Sequence, residues 1–391
     1  LKNPVKANML KLQAYYLFSF FAVGSLTPLL SVYLKESEKM NGYQIGTIMS
    51  IGPIIMIIFQ PIWGMVCDIS GKPSKVLSLT AFFAGFLGLG YLVLHSYFPL
   101  VILAACLAVF QSAIIPVSDS ISLKYTAKEG GNYGNIRLFG SLGFGIAVFV
   151  MGRLSETPLG LSVIFYAFFI GLTAAAGLAL RLPEEPALVK IKPGTGMKEL
   201  FSIPRFVIFL IVTFLVFGPN LANNVYYGLF VEARGGTYTG IGIAFLLAVL
   251  SEIPFMRIAG RWINQWGLLP VALMAACASL LRWTFYFYEP GLTLVYISSI
   301  VSGFSLGLFI PAGLQYISKI VPAHITVTAV TIYSAFGNGL GNWFSTFAGG
   351  ILLENSGIYS VYLLFAGMSL LGMLLTVWLI LKEKSSVKAP C

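Results

Sequence analysis

Long apolar runs follow one another from end to end of the chain, each closed by a short cluster of charged, glycine or proline residues. A helix of ~20 apolar residues spans ~30 Å of hydrocarbon, so run length is the first clue to what these segments are. The pattern predicts twelve membrane-spanning helices, near 9–34, 43–67, 74–96, 98–123, 134–154, 158–181, 206–230, 238–263, 267–288, 291–320, 325–350 and 357–381. A transmembrane β-barrel would show strict polar–apolar alternation instead. The breaks carry turn and charge chemistry: Lys35 to Gly42, Gly71 to Pro73, Lys128 to Gly131 and Glu232 to Gly236. The longest polar stretch, Leu182 to Pro204, holds Pro183, Pro186, Pro193, Gly194 and Gly196. The expected organisation is an all-α polytopic membrane protein with an N-terminal six-helix half over 1–181, a cytoplasmic linker over 182–205 and a C-terminal six-helix half over 206–391.

Composition narrows the class. Of 391 residues, 58% are hydrophobic and 10% charged, with a mean hydropathy of +0.88. Soluble domains carry roughly 25% charged residues, so a soluble enzyme, a disordered chain and a nucleic-acid binder are excluded. The net charge of +10 is topological: Lys and Arg are retained on the cytoplasmic side of a membrane. With both termini inside, 18 of the 24 basic residues fall on cytoplasmic segments. Four, Lys35, Lys39, Arg153 and Arg234, fall outside, and Arg137 and Arg282 lie within spans. A multi-pass protein of the plasma (inner) membrane with cytoplasmic termini is expected. The first segment follows Lys2, Lys6 and Lys11 without a small-residue cleavage site, so it reads as a retained span. Cys67, Cys106, Cys277 and Cys391 form no C-x-x-C pair, and His95 and His324 stand alone; neither a disulfide nor a metal site is expected.

The two halves repeat each other. Gly64, Asp68 and Gly71 recur as Gly260, Asn264 and Gly267, and Ile45-Gly46 recurs as Ile241-Gly242, all at an offset of 196 residues. Such a repeat implies a pseudo-twofold transporter with its site at the interface of the halves.

Charges inside the spans are few. Asp119 and Glu252 are the acids, Arg137 and Arg282 the bases, one of each per half. Each costs ~2.5–3.5 kcal/mol at the centre of a membrane helix on insertion scales, so all four should face a wet cavity or one another. Polar stripes accompany them. Asn220, Asn223, Asn224 and Tyr227 share one helical face just after Pro219, and Ser334, Asn338, Asn342 and Ser345 share another among Gly337, Gly339 and Gly341. Gln111, Ser118, Asp119 and Ser122 form a third. Interhelical glue and a solute cavity both account for such stripes.

The segment Gly64, Asp68, Gly71, Lys72 and Lys75 resembles the signature between spans two and three of the major facilitator superfamily, Gly-x-x-x-Asp-Arg-x-Gly-Arg-Lys. Ile69 stands where that signature has Arg, and Pro73 interrupts the basic run. Gly64, Asp68, Gly71 and Lys72 are therefore the expected gating residues, with the carboxylate latching the cytoplasmic side. Tyr133-Gly-Asn-Ile-Arg137-Leu-Phe-Gly140-Ser141 below Asp119, Ser251-Glu252, Leu281-Arg282-Trp283 and Phe59-Gln60-Pro61 resemble the lactose, phenylpropionate and nucleoside permease group of proton symporters. That resemblance implies that Asp119 and Arg137 hold solute, with Phe144 where the lactose permease stacks a Trp on the sugar ring. Ser302 and Ser305 stand where that permease has its His and Glu, and Gly337 where it has a Lys. Proton coupling then falls to Glu252 with Arg282, or to Asp119.

The expected function is proton-coupled uptake of a small polar solute by alternating access, with a sugar, glycoside or nucleoside first and an aromatic carboxylate second. Expected substrate contacts are Asp119, Arg137, Phe144, Asn220, Asn223, Asn224, Tyr227, Asn338 and Asn342. No cofactor beyond the proton gradient and no nucleic-acid partner are expected, and the protein should work as a monomer in the bilayer. A drug or metabolite efflux antiporter is the competitor within the fold; the stretch Gly140 to Gly152 lacks the Gly-Pro motif such exporters carry. A membrane receptor or scaffold that no longer transports is the competitor in another class.

Overall fold

The computed structural model describes residues 4–129, 133–183, 197–322 and 325–388, and every regular element among them is helical. The helices are α1 (Pro4–Glu36), α2 (Gly42–Ser70), α3 (Pro73–Gly88), α4 (Tyr97–Glu129), α5 (Tyr133–Ser155), α6 (Val163–Ala179) and the short α7 (Met197–Phe201). They continue with α8 (Pro204–Ala233), α9 (Tyr238–Trp266), α10 (Leu268–Phe287), α11 (Leu292–Ile320), α12 (Thr326–Ser334), α13 (Asn342–Ser356) and α14 (Ile358–Lys388). His324, Cys391 and residues 184–196 of the expected linker lie outside the described residues.

Ten of these helices are long and apolar enough to cross a membrane. The other two expected spans are present in altered form. Helix α6 has 17 residues, or ~25 Å at 1.5 Å per residue, and is prolonged by tight turns on both sides of it. The span expected at 325–350 is divided between α12 and α13 by a π-helical stretch, Ala335–Gly341. Its sequence, Ala-Phe-Gly-Asn-Gly-Leu-Gly, holds three weak helix formers that tolerate the wider turn.

The 196-residue repeat is visible in backbone geometry. Helix α2 ends at Gly71 with φ 61°, where its N–H donates to Cys67 O at 3.0 Å. Helix α9 ends at Gly267 with φ 94°, its N–H donating to Ile263 O at 2.9 Å. Both positions have a positive φ that glycine adopts freely, Gly71 in the left-handed helical region and Gly267 with an extended ψ of 169°, so glycine suits the helix end in each. Start signals agree with the chain too: Asn41 and Gln44 form a capping box at α2.

The helices group into two compact units: residues 1–190 with 227–246, and residues 191–226 with 247–391. The first unit therefore takes in the last two turns of α8 and the first turns of α9. Its helices approach closely where side chains are absent. A methyl at Gly24 of α1 would lie 2.6 Å from Phe144 O of α5, and one at Gly143 would collide with Leu17 O. The second unit is built around Phe209, which lies against Phe309, Tyr316 and Tyr333 with centroids 6.3, 4.7 and 6.2 Å away. From Ile51 to Ser70, no residue of α2 is buried.

Candidate functional site

Asp119 of α4 and Arg137 of α5 meet in the first unit, with Arg137 Nη1 3.6 Å from Asp119 Oδ1. That separation is an ion pair but exceeds hydrogen-bond length. The short bond to the carboxylate comes from α1 instead: Tyr16 donates its hydroxyl to Asp119 Oδ1 at 2.5 Å. Four residues on, Phe20 lies under the guanidinium, with Arg137 Cζ 4.4 Å from its ring centroid. Tyr16 and Phe20 are themselves parallel, with centroids 6.0 Å apart. Among the described residues, Arg137 Nη1 is buried and has no hydrogen-bond partner.

Along α5, Phe144 lies seven residues beyond Arg137, on the same face and ~10 Å farther along the axis. Phe245 of α9 stands between two rings there, 6.2 Å from Phe144 and 5.6 Å from Tyr227, edge-on to both. Beyond this aromatic group come two close helix crossings. A methyl at Gly228 of α8 would lie 3.0 Å from Pro28 O of α1, and one at Gly242 of α9 would lie 2.7 Å from Phe149 Cα of α5. Gly152 likewise leaves no space for a methyl beside Tyr238 O. Two polar contacts lie at the same helix ends. Lys35 Nζ donates to both carboxylate oxygens of Glu232, at 2.8 and 2.9 Å. Glu156, past the end of α5, accepts from Thr239 N and Thr239 Oγ1, both at 2.7 Å, and so caps α9. Partial burial opposes ionisation of Glu156, but the bonds from Thr239 outweigh it and hold the carboxyl below its usual range.

The second unit holds the other half of the predicted set, and its asparagines are engaged internally. Asn220 Nδ2 donates to Val216 O at 2.8 Å and to Ser279 Oγ at 2.9 Å, and Ser279 pairs with Ser305 at 2.7 Å. Tyr362 donates to Asn223 Oδ1 at 3.2 Å. Both asparagines are 4% exposed and these bonds tie helices together, but only the Asn220 amide nitrogen is satisfied: among the described residues its Oδ1 is buried without a hydrogen-bond partner. Asn224, between them and Tyr227 in sequence, is only half-buried. Ser302 and Ser305 are buried as well, and Ser305 donates to Ala275 O at 3.0 Å.

Arg282 is 5% exposed. Its Nε donates to Tyr286 Oη at 3.1 Å, and its Cζ lies 4.9 and 5.2 Å from the ring centroids of Trp283 and Tyr286. Tyr286 thus holds the guanidinium through Nε. Glu252 is half-buried on α9, and its backbone lies where α11 passes: methyls at Gly303 and Gly307 would fall 2.6 Å from Glu252 N and 3.0 Å from Glu252 O.

The expected stripe of Ser334, Asn338, Asn342 and Ser345 does not run as one α-helical face. The π-helical stretch contains Asn338 and shifts the register. Asn338 is exposed, Asn342 accepts from Thr346 Oγ1 at 3.2 Å, and Ser345 is fully buried. Gly337 packs against Thr213 and Phe217, with a methyl position 2.9 Å from each. A lysine at that position would not fit.

Gly64, Asp68 and Gly71 line a cavity of about 440 Å³ between α2 and α4, with Gln60, Ser120 and Lys124. Lys72 is exposed beside it, at the start of α3. Sequence reasoning missed Tyr16, Phe20, Phe245 and Glu156. The first two carry a faint signal, a Tyr–Phe pair four residues apart on α1.

The chain matches the MFS_1 like family over residues 9–364. It is 47% identical over 381 residues to the uncharacterized transporter YwbF of Bacillus subtilis (strain 168), covering 97% of this chain and 96% of that one. It is 45% identical over 376 residues to the maltose permease of Geobacillus stearothermophilus, covering 95% and 94%. The crystal structure of the nucleoside transporter NupG superposes with a TM-score of 0.82 at 19% identity, covering 95% of this chain and 98% of that one. A helical scaffold with the repeated helix stop, an intramembrane acid–base pair and a family match along nearly its whole length define the protein: it belongs to the MFS_1 like family and is a membrane transporter of the major facilitator superfamily, not an enzyme.

Proposed function

We propose that the protein takes up a disaccharide of the maltose kind together with protons, by alternating access, as a monomer with both termini in the cytoplasm. One observation carries the reading. The Asp119–Arg137 pair is too far apart to satisfy itself, at 3.6 Å, and Arg137 Nη1 lacks a hydrogen-bond partner. Carboxylate and guanidinium can each take paired hydroxyls, which suits a polyhydroxylated ring. Phe144 supplies the apolar face that a sugar ring needs. Asn224, Asn338 and Asn342 are proposed further polar contacts, while Asn220 and Asn223 tie helices within the second unit. The 45% identity to a maltose permease supports the solute class, and the 18-to-4 distribution of basic residues supports the orientation.

Glu252 is the proposed proton carrier. A carboxyl that exchanges an Arg282 contact for an apolar setting during the cycle takes up and releases a proton. Gly64, Asp68, Gly71 and Lys72 act as the cytoplasmic gate. A nucleoside is the second reading, favoured by the cluster of aromatic rings at Phe144, Phe245 and Tyr227.

Uptake into proteoliposomes tests the proposal. Labelled maltose should accumulate above its external concentration when the outside is acidified, and a protonophore should abolish accumulation while leaving exchange. Accumulation of xanthosine or uridine but not maltose would select the second reading. Binding without accumulation of any of them would assign the protein to receptors.

A further inference from the structure

The pair at the centre of the first unit poses a question of its own. An unrestrained arginine and carboxylate on neighbouring helices in a low-dielectric setting form a bidentate bridge, with both N–H donors on both oxygens. Here they do not. Nη1 remains 3.6 Å from Oδ1 and unbonded, and both side chains are partly open, at 38% and 28% exposure. Restraint comes from α1, beside a hydrogen bond between Asp119 and Tyr133 at the start of α5. Tyr16 bonds the oxygen that faces Arg137, and Phe20 draws the guanidinium onto its ring face. The two aromatic residues are one turn apart and parallel, so a single helix face acts on both members of the pair. Helix α1 is in turn held against α5 at Gly140, where a methyl would lie 3.0 Å from Phe20 Cδ2.

We propose that Tyr16 and Phe20 are positioning residues that keep Asp119 and Arg137 from closing on each other, so that the guanidinium, partly open as a whole though buried at Nη1, is not consumed by its own carboxylate before solute arrives. The proposal rests on the reading of this pair as the solute site. Its logic is preorganisation: a fork already satisfied by its own carboxylate would have to be broken open by each solute molecule, whereas one held open binds without that penalty. The cost falls on the resting protein, which forgoes a bridge it could otherwise form. Removing either restraint should therefore weaken binding without weakening the fold.

The first test needs no solute. Phenylglyoxal modifies free guanidinium groups, and Arg137 modification can be followed by mass spectrometry on the purified full chain. Tyr16→Phe and Phe20→Leu should slow modification of Arg137 several-fold as the pair closes, while Phe20→Trp, which keeps the ring face, should modify like the parent. Melting temperatures of Tyr16→Phe and Phe20→Leu should equal or exceed that of the parent. The second test uses maltose in proteoliposomes. Tyr16→Phe and Phe20→Leu should raise KM by about 10- to 100-fold, the range expected for one charge-assisted hydrogen bond, with kcat changed far less. Unchanged Arg137 modification in Tyr16→Phe, or a fall in melting temperature that accounts for the loss of binding, overturns the proposal. Arg137→Lys separates the two levels. If it retains the parent's KM, the reading of the pair as the solute site fails; if it loses affinity while Tyr16→Phe keeps it, only the positioning role fails.

Discussion

The crossing of α5 and α9 offers the sharpest test of alternating access. At Gly242, an added methyl would sit 2.7 Å from Phe149 Cα, 2.8 Å from Val148 O and 3.2 Å from Phe149 N. All three atoms are backbone, so no side chain can rotate away. Ordinary contact begins at 3.4 Å, and the crossing must widen by about 0.7 Å to admit the methyl. Overpacking of this kind costs ~1–3 kcal/mol. If the crossing exists only while this end is closed, Gly242→Ala raises the open fraction by about 5- to 150-fold. Val231, fully buried on α8 in the same unit, is a suitable reporter as Val231→Cys. Its labelling by a membrane-impermeant maleimide should rise by that factor in Gly242→Ala. Gly143→Ala is the control, since its methyl would collide with Leu17 O inside the α1–α5 pair. It should lower the melting temperature and leave labelling unchanged. Equal labelling in Gly242→Ala and its parent, with normal transport, would refute the argument that this crossing opens during the cycle.

The other predictions address the Glu156 contact, the proton and the gate. Because the Glu156 carboxyl is held below its usual range by Thr239, that contact contributes fully above the ordinary carboxylate pKa and is lost as pH falls through the lowered one. Val231→Cys labelling by a pyridyl disulfide, which reacts in acid, should rise on acidification, and Glu156→Gln should diminish that rise. Glu252→Gln should abolish maltose accumulation driven by a pH gradient yet leave exchange measurable, once expression is corrected for; sustained uphill uptake would transfer coupling to Asp119. Asp68→Asn should slow turnover with maltose affinity unchanged, since its carboxylate lines the α2–α4 cavity rather than the solute pair, and weakened binding at a normal rate would contradict the gating role.

Much of the architecture was legible in the chain because the membrane leaves few options. Backbone polar groups in hydrocarbon have to bond within their own segment, so each long apolar run becomes a helix. The expected span at 43–67 and the observed Gly42–Ser70 differ by a few residues only, as the capping box and the left-handed glycine at its ends make plain. The 196-residue repeat was equally legible, since a helix end with positive φ favours glycine in both halves. Asp119 and Arg137 could be singled out because ionisable residues are too costly in a span to be incidental.

Tertiary structure decided what those residues do. Helical periodicity placed Asn220, Asn223 and Asn224 on one face, but it could not say which amides would find Ser279 and Tyr362 across a helix interface. Periodicity assumes 3.6 residues per turn, so the π-helical stretch at Ala335–Gly341 was invisible to it and the stripe around Asn338 was drawn in the wrong register. Tyr16, Phe20 and Phe245 carry no charge and no motif, and an aromatic residue in a membrane helix is unremarkable until its neighbours are known. The single chain determined that charges would meet inside the bilayer, because the cost of burying them is local and readable. How far apart they stand was set by the α1 face packed against α5, a relation between residues more than a hundred positions apart that no local pattern encodes.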